Sequence, residues 1–145
     1  AVVAARPYIK DPRFIEVHRL GTQVGRSLDI DVVLDLMIHD LDMILSTVPS
    51  EVDSVEAVGV PVLTPKVDIA NARVRFTNGC IANLTASRIS KEPVRKIRFF
   101  QRQSYVSIDT AAKEVEMYHL VPQAGGVPSI TPQPAIVPIF GTVNV

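Results

Sequence analysis

The sequence predicts an α+β domain in which one long helix packs on one face of an open, largely antiparallel or mixed sheet of about six strands. Three observations favour this class: one long periodic segment at residues 29–48, a run of short β-rich segments after it, and an Asn78-Gly79 pair between two of those segments. Consecutive strands after a single helix are typical of α+β domains, whereas βαβ units alternate the two. The 145 residues suit one ordinary domain.

The first predicted elements are a strand and the long helix. Residues 13–22 carry mixed alternating side chains and predict a strand. Residues 29–48 repeat apolar side chains at helical spacing, with Ser27 or Asp29 as the candidate N-cap. Pro49 follows and should end the helix, because the residue before a proline is pushed away from helical backbone angles.

The later elements are predicted to be strands. Asn78-Gly79 lies between two alternating runs, which is the strongest short-range hairpin signal. We predict one domain at residues 1–120, followed by an extended Pro- and Gly-rich tail at 121–145. The strands are predicted at residues 51–63, 67–76, 80–89, 93–101, 104–109 and 114–120.

Composition excludes several functional classes. Lys+Arg and Asp+Glu both number 15, so no net field would attract nucleic acid or an anionic membrane. Charged residues and prolines interrupt every apolar run well before the roughly 20 residues that span a bilayer. The single Cys80 cannot form an internal disulfide; it fits a buried apolar position and a reducing cytoplasm, and no signal peptide is apparent.

The predicted helix concentrates its polar residues in one stripe. At about 100° per residue the stripe spans an arc of roughly 80°. Most other side chains are apolar, with Asp40 and Thr47 on the opposite side, so the helix is expected to be buried around most of its circumference. The stripe consists of Asp31, Asp35, His39, Asp42 and Ser46.

Asp35 and His39 are candidates for acid/base chemistry, because side chains four residues apart are neighbours on a helix. An imidazole can accept a proton from a hydroxyl, and a nearby carboxylate stabilises the resulting imidazolium. Two other interpretations stay open. The stripe is also compatible with a plain solvent-facing surface, and Asp35, His39 and Asp42 have the spacing of a metal site.

The segment DVVLDLMIHDLD (31–42) resembles the Gfo/Idh/MocA oxidoreductase family, whose helix carries Asp-x-x-x-His followed by an apolar residue and Asp. The resemblance covers about residues 1–120 and implies the family's C-terminal substrate domain, which follows a dinucleotide-binding domain. By position it implies that His39 is the acid/base acting on a substrate hydroxyl and Asp35 its partner, with Asp42 a structural companion.

The sequence departs from the family pattern in ways that bear on the cofactor. It lacks a Gly-x-Gly-x-x-Gly fingerprint and an ordered Glu-Lys-Pro motif, and Ile30-Asp31 stands where the family often has Gly-Gly. Lys91-Glu92-Pro93 has those letters in another order. The resemblance therefore implies that NAD or NADP binds mainly to a domain upstream of Ala1, and that this chain alone is inactive.

Arginines are the candidate contacts to the substrate. Arg19 and Arg26 precede the helix, and both could bind a phosphate or carboxylate; Arg88, at a strand end, is a weaker candidate. The resemblance implies a small sugar or nucleotide-linked sugar as the substrate. A non-catalytic scaffold that uses the same domain for association is the alternative function.

The predicted sheet has more surface than one helix can cover. A helix is about 10 Å wide and strands lie about 4.8 Å apart, so one face of six strands is left over. The runs at 67–76 and 80–89 carry few charges, which favours an interface over a wet surface. We therefore predict a homo-oligomer joined through sheet faces.

Overall fold

The computed structural model describes residues 2–22 and 29–119, together with the backbone of Pro134 and Ala135. A 3₁₀ turn at Arg6–Tyr8 follows the first helix, and a π-helical turn at Val33–Met37 runs directly into the second. The helices are α1 (Val2–Ala5) and α2 (Ile38–Thr47). The strands are β1 (Phe14–Leu20), β2 (Val52–Val60), β3 (Ile69–Phe76), β4 (Ile81–Ser87), β5 (Val94–Phe100), β6 (Ser104–Asp109), β7 (Glu114–His119) and β8 (Pro134–Ala135).

The described strands form one open sheet in the order β2-β3-β4-β1-β5-β6-β7-β8. β1 lies parallel to β4 and antiparallel to β5, and every other neighbouring pair is antiparallel. The predicted α+β class and the mixed open sheet are confirmed. The predicted count of about six is low, because β1 joins the six later strands and β8 adds a two-residue edge.

The core lies between the sheet and the motif helix, a name used here for the continuous segment of the π-helical turn and α2. One face of the sheet contributes alternate residues of neighbouring strands, which the register brings side by side. The motif helix lies on this covered face, and its buried side chains pack against those of the strands. The core includes Ile15, Val17, Leu84, Phe99 and Val106 from the sheet, and Met37 and Ile44 from the helix.

The predicted Asn78-Gly79 hairpin is confirmed between β3 and β4. The Phe76 amide donates to the Cys80 carbonyl at 2.9 Å, and Gly79 has a φ of 89°, which a side chain would disfavour. The Asn78 side chain accepts the Cys80 amide at 3.0 Å. Cys80 is buried as predicted, and burial raises the pKa of its thiol to about 11.

The start of the motif helix differs from the prediction. Helical structure begins at residues 32–33 instead of 29, and Asp31 is the capping residue, since its Oδ1 accepts the amides of Val33 at 3.0 Å and Leu34 at 3.1 Å. Asp29 lies outside the helix, and Ser27 lies outside the described residues. The helix begins later than predicted because Asp31, and not Asp29, is the residue whose carboxylate lies two and three positions before amides that have no helical partner.

The predicted burial of the helix around most of its circumference is wrong. The sheet covers one side, and the outer side exposes apolar as well as polar residues. Helical spacing alone indicated which residues share a side, but it did not show how much of that side a second layer would cover. The exposed apolar residues of the motif helix are Leu34, Ile38 and Leu45.

The opposite sheet face, called the open face here, has no helix over it in the described part of the chain. This face carries more charge than the segments at 67–76 and 80–89 suggested. Glu16 Oε1 lies 3.3 Å from His18 Nε2 and 3.3 Å from Arg98 Nη1. A row of aromatic rings crosses four strands of this face, with centroids 4.7 to 5.9 Å apart. The row consists of Phe14, Phe100, Tyr105 and Tyr118.

The C-terminal region is described only at Pro134 and Ala135. The predicted boundary at residue 120 and the tail at 121–145 lie outside the described residues, apart from Pro134 and Ala135. Within the described ranges, no helix is long and apolar enough to cross a membrane.

Candidate functional site

The outer side of the motif helix presents the two residues singled out for acid/base chemistry. Asp35 lies in the π-helical turn and is half-buried, whereas His39 lies in the first turn of α2 and is exposed. Neither side chain makes a hydrogen bond or an ion pair to another described residue. Both therefore have their polar atoms available to a bound molecule.

The π-helical turn is the local feature that sets this part of the helix apart. The Ile38 amide donates to the Val33 carbonyl five residues back, in place of the usual four. Such a turn widens the helix, shifts the phase of the residues around it, and occurs frequently at functional sites. Here it contains Asp35 and ends two residues before His39.

The side of α2 that faces the sheet carries a buried ion pair. Asp40 is 2% exposed, and its two oxygens accept Nε and Nη2 of Arg19, both at 2.8 Å. Arg19 reaches Asp40 because it alternates with Ile15 and Val17 on the covered face of β1. The hydrogen bond to Asp40 and the carboxylate charge raise the pKa of Arg19 despite partial burial.

This pair fixes the rotation of α2 beside the candidate site. A bidentate fork between a guanidinium and a carboxylate constrains both distance and angle. His39 immediately precedes Asp40, and successive helical residues point about 100° apart. Holding Asp40 inward therefore holds His39 outward.

The other predicted site residues are placed as follows. Arg26 lies outside the described residues, so its predicted substrate contact stays a prediction. Asp42 is exposed on the outer side of α2. Arg88 is 6% exposed and pairs with the fully buried Asp68 at 2.8 Å, far down the strand from the Asn78-Gly79 turn.

The metal interpretation gains no support from the geometry. Among residues 2–22 and 29–119, no group of three or more His, Cys, Asp or Glu side chains is placed to hold a metal ion. Asp35, His39 and Asp42 share a side of the helix without converging on one point.

Sequence reasoning missed the importance of Asp40 and Asp68. Burial would raise the pKa of the Asp68 carboxyl, but backbone amides of Thr64 and Val62, the Thr64 hydroxyl and Arg88 outweigh burial and hold that pKa well below its usual range. A signal for this pair existed: counting outward from the hairpin turn places residues 68 and 88 opposite each other. Asp40 carried a weaker signal, its place opposite the polar stripe.

Comparison with protein families identifies the domain type. The model of the GFO/IDH/MocA C-terminal domain matches residues 17–104, which include the second half of β1, the motif helix and the strands β2 to β5. The matched region thus contains both Asp35 and His39.

Individual relatives agree with that match. The chain is 46% identical over 119 residues to UDP-N-acetylglucosamine 3-dehydrogenase of Acidithiobacillus ferrooxidans, covering 82% of this chain and 37% of that enzyme. A solved structure of that enzyme superposes with a TM-score of 0.75 at 43% identity, over 81% of this chain and 39% of the enzyme. The chain therefore spans about two fifths of this relative's length.

More distant solved structures share the fold. The WlbA dehydrogenase from Bordetella pertussis, in complex with NADH and UDP-GlcNAcA, has a TM-score of 0.67 at 13% identity, over 86% of this chain and 43% of that protein. A levoglucosan dehydrogenase in complex with NADH has a TM-score of 0.71 at 16% identity, over 90% and 44% of the two chains. At such identities the likeness shows the fold alone.

Proposed function

Because this chain belongs to the Gfo/Idh/MocA family, we propose that it is the substrate-side domain of a nicotinamide-dependent dehydrogenase acting on a hydroxyl of a nucleotide-linked amino sugar. The observation that carries the proposal is the placement of His39, exposed on the outer side of the motif helix, four residues after Asp35 in the π-helical turn. The matched relative that is named for UDP-N-acetylglucosamine supports the substrate class.

The proposed chemistry assigns one role to each of the two residues. His39 accepts the proton of the sugar hydroxyl through a ring nitrogen while the carbon-bound hydrogen leaves as hydride, so the alcohol becomes a ketone. Asp35 stabilises the imidazolium electrostatically from the preceding turn. The oxidised nicotinamide supplies the hydride acceptor.

The cofactor is proposed to bind mainly to a domain that precedes this one. The residues here fit the substrate side of the reaction: they offer an imidazole and carboxylates, but the sequence has no glycine-rich turn that would bring backbone amides to a pyrophosphate. Exposed Leu34 and Ile38 beside His39 provide an apolar surface for another domain to cover. NAD and NADP are both compatible with this arrangement.

Arg19 and Arg26 are the proposed contacts to the anionic part of the substrate. Nε and Nη2 of Arg19 donate hydrogen bonds to the Asp40 carboxylate, and Nη1 of Arg19 makes no hydrogen bond within the described residues. That nitrogen is the group proposed to bind a phosphate oxygen. The cytoplasm is the proposed compartment, supported by the single unpaired Cys80.

The activity test uses the full-length dehydrogenase, meaning the polypeptide that joins this domain to its proposed dinucleotide-binding domain. The enzyme is given NAD or NADP together with UDP-N-acetylglucosamine, and reduction of the cofactor is monitored by nicotinamide absorbance. We expect turnover that depends on the sugar nucleotide. UDP alone serves as the matched control, since it lacks the reacting sugar hydroxyl. Absence of turnover with several UDP-linked amino sugars would favour the scaffold alternative.

Cofactor binding by the 145-residue chain is expected to be negligible. Without a glycine-rich turn at a helix N-terminus, the pyrophosphate has no set of backbone amides to bind. Isothermal calorimetry with NAD and with NADP measures this directly, and the full-length dehydrogenase is the positive control. A micromolar dissociation constant for either cofactor would contradict the proposed division of labour.

Self-association through the open face is also part of the proposal. The aromatic row is rigid apolar surface of the kind found at interfaces, and we expect a dimer or higher oligomer that buries more than about 1,000 Å² in total. Sedimentation velocity at micromolar concentration should show it. Phe100→Lys, on the open face, should weaken association, whereas Val62→Lys, on the loop after β2, should not; a monomeric parent chain would refute the interface.

A further inference from the structure

A buried carboxylate organises the loop between β2 and β3. Asp68 is fully buried, and its Oδ2 accepts three backbone amides, from Val62 and Leu63 at 2.8 Å and from Thr64 at 2.9 Å. Its Oδ1 accepts the Thr64 hydroxyl and Arg88 Nε, both at 2.8 Å. With five donors on one carboxylate, the loop is folded around Asp68 as a fixed unit.

Arg88 connects this unit to the segment that leads into the motif helix. Its Nη2 donates to the Thr64 hydroxyl at 3.0 Å, and its Nη1 donates to the carbonyl of Ile30. A second link runs alongside, from the Val32 amide to the Val67 carbonyl at 2.9 Å. Ile30 and Val32 flank Asp31, the cap of the motif helix.

These links supply a constraint that apolar packing does not. A helix on a sheet can shift along its own axis by a fraction of its 1.5 Å rise per residue while its apolar side stays covered. The Arg19–Asp40 fork fixes rotation near His39, and the hydrogen bonds at Ile30 and Val32 fix the axial position of the helix start. Asp35 lies one turn beyond that start.

We propose that Arg88 is a positioning residue that, through the Ile30 carbonyl, sets where the motif helix holds Asp35 and His39 relative to the substrate. The inference rests on the proposed function and adds a residue that touches neither substrate nor cofactor. A misplacement of about 1 Å in a reacting group can cost as much as 100-fold in rate. Arg88 therefore influences turnover more than substrate affinity.

The test compares Arg88→Lys, Arg88→Met and the exposed control Lys91→Met. Lysine keeps the charge, but its single ammonium group cannot replace the three guanidinium nitrogens that donate to Asp68, Thr64 and Ile30. In the 145-residue chain, hydrogen exchange of the peptide covering 30–38 should be faster in both Arg88 variants and unchanged in Lys91→Met. In the full-length dehydrogenase, Arg88→Lys should lower kcat about 10-fold or more and leave KM within about 2-fold.

The kinetic measurement is made at a temperature where circular dichroism shows each variant fully folded, so lost stability by itself does not change kcat. Should Arg88→Met fail to fold, Arg88→Lys and the milder Thr64→Val, which removes the acceptor of Nη2, take its place. A kcat within 2-fold of wild type in folded Arg88→Lys and Thr64→Val, or unchanged exchange at 30–38, overturns the positioning role. If His39→Ala is costly and Arg88→Lys is not, only this inference fails; if His39→Ala is silent, the proposed function fails with it.

Discussion

Replacing His39 with alanine is expected to lower kcat of the full-length dehydrogenase by roughly 100-fold or more, the usual scale for losing a general acid/base. The substitution removes the only proton acceptor that we assign to the substrate hydroxyl. It should leave the fold intact, because the side chain is exposed and makes no hydrogen bond within the described part of the chain. Steady-state kinetics on the sugar nucleotide measures the effect.

Two companion variants sharpen this experiment. Asp35→Asn should reduce kcat less than His39→Ala, because it removes a charge that stabilises the imidazolium and leaves the proton acceptor in place. Ser46→Ala, two turns further along α2, removes only a hydrogen bond to the Met43 carbonyl and should leave turnover unchanged. Wild-type turnover in folded His39→Ala would mean that the polar stripe is a solvent-facing surface.

Replacing Arg19 with methionine is expected to lower the free energy of unfolding of the chain by about 3 kcal/mol or more, the scale for breaking a buried ion pair from one side. The cost comes from Asp40, which is 2% exposed and would keep its charge without the two hydrogen bonds of the fork. Urea unfolding followed by circular dichroism gives the difference. A loss below about 1 kcal/mol would show that Asp40 finds water or another donor.

A double variant separates two contributions to the free energy of unfolding: the cost of leaving the Asp40 charge buried without a partner, and the net stabilisation by the ion pair. Arg19→Met with Asp40→Leu should recover much of the lost stability, since replacing both partners by apolar residues is often neutral. Arg98→Met is the matched control: its partner Glu16 is half-buried and the pair lies 3.3 Å apart on the open face. That control should cost less than about 1 kcal/mol.

The chain-local features of the fold were predictable from the sequence. Alternating side chains mark β3 and β4, proline, glycine or polar residues lie at many of the strand boundaries, and the Asn78-Gly79 pair indicated one hairpin and its register. The position of β1 between β4 and β5 was not predictable, because strand order depends on contacts between residues far apart in the chain. The helical pattern likewise identified which residues share the outer side of the motif helix, but it did not show that apolar residues on that side are exposed.

The candidate site was predictable in part. Four-residue spacing and the resemblance singled out Asp35 and His39, and the structure presents both on the outer side of the helix. Periodicity at 3.6 residues assumes a regular α-helix and contains no signal for a π-helical turn at Val33–Met37. The partner of Arg19 was hidden for a different reason: it required knowing that the covered face of β1 lies under α2.

The central place of β1 has a consequence for how the polypeptide folds. β2–β4 and β5–β7 are each built from neighbours in sequence, so each set can form by fast local hairpin closure. β1 alone joins the two sets, and its pairing of Phe14 with Ile81 closes a long loop, which is the slow kind of contact. During synthesis β1 emerges before the other strands, so its backbone N–H and C=O groups have no strand partners until β4 and then β5 have left the ribosome. Until then β1 is a strand with two unpaired edges, which is the kind of segment that pairs with a second chain and starts aggregation.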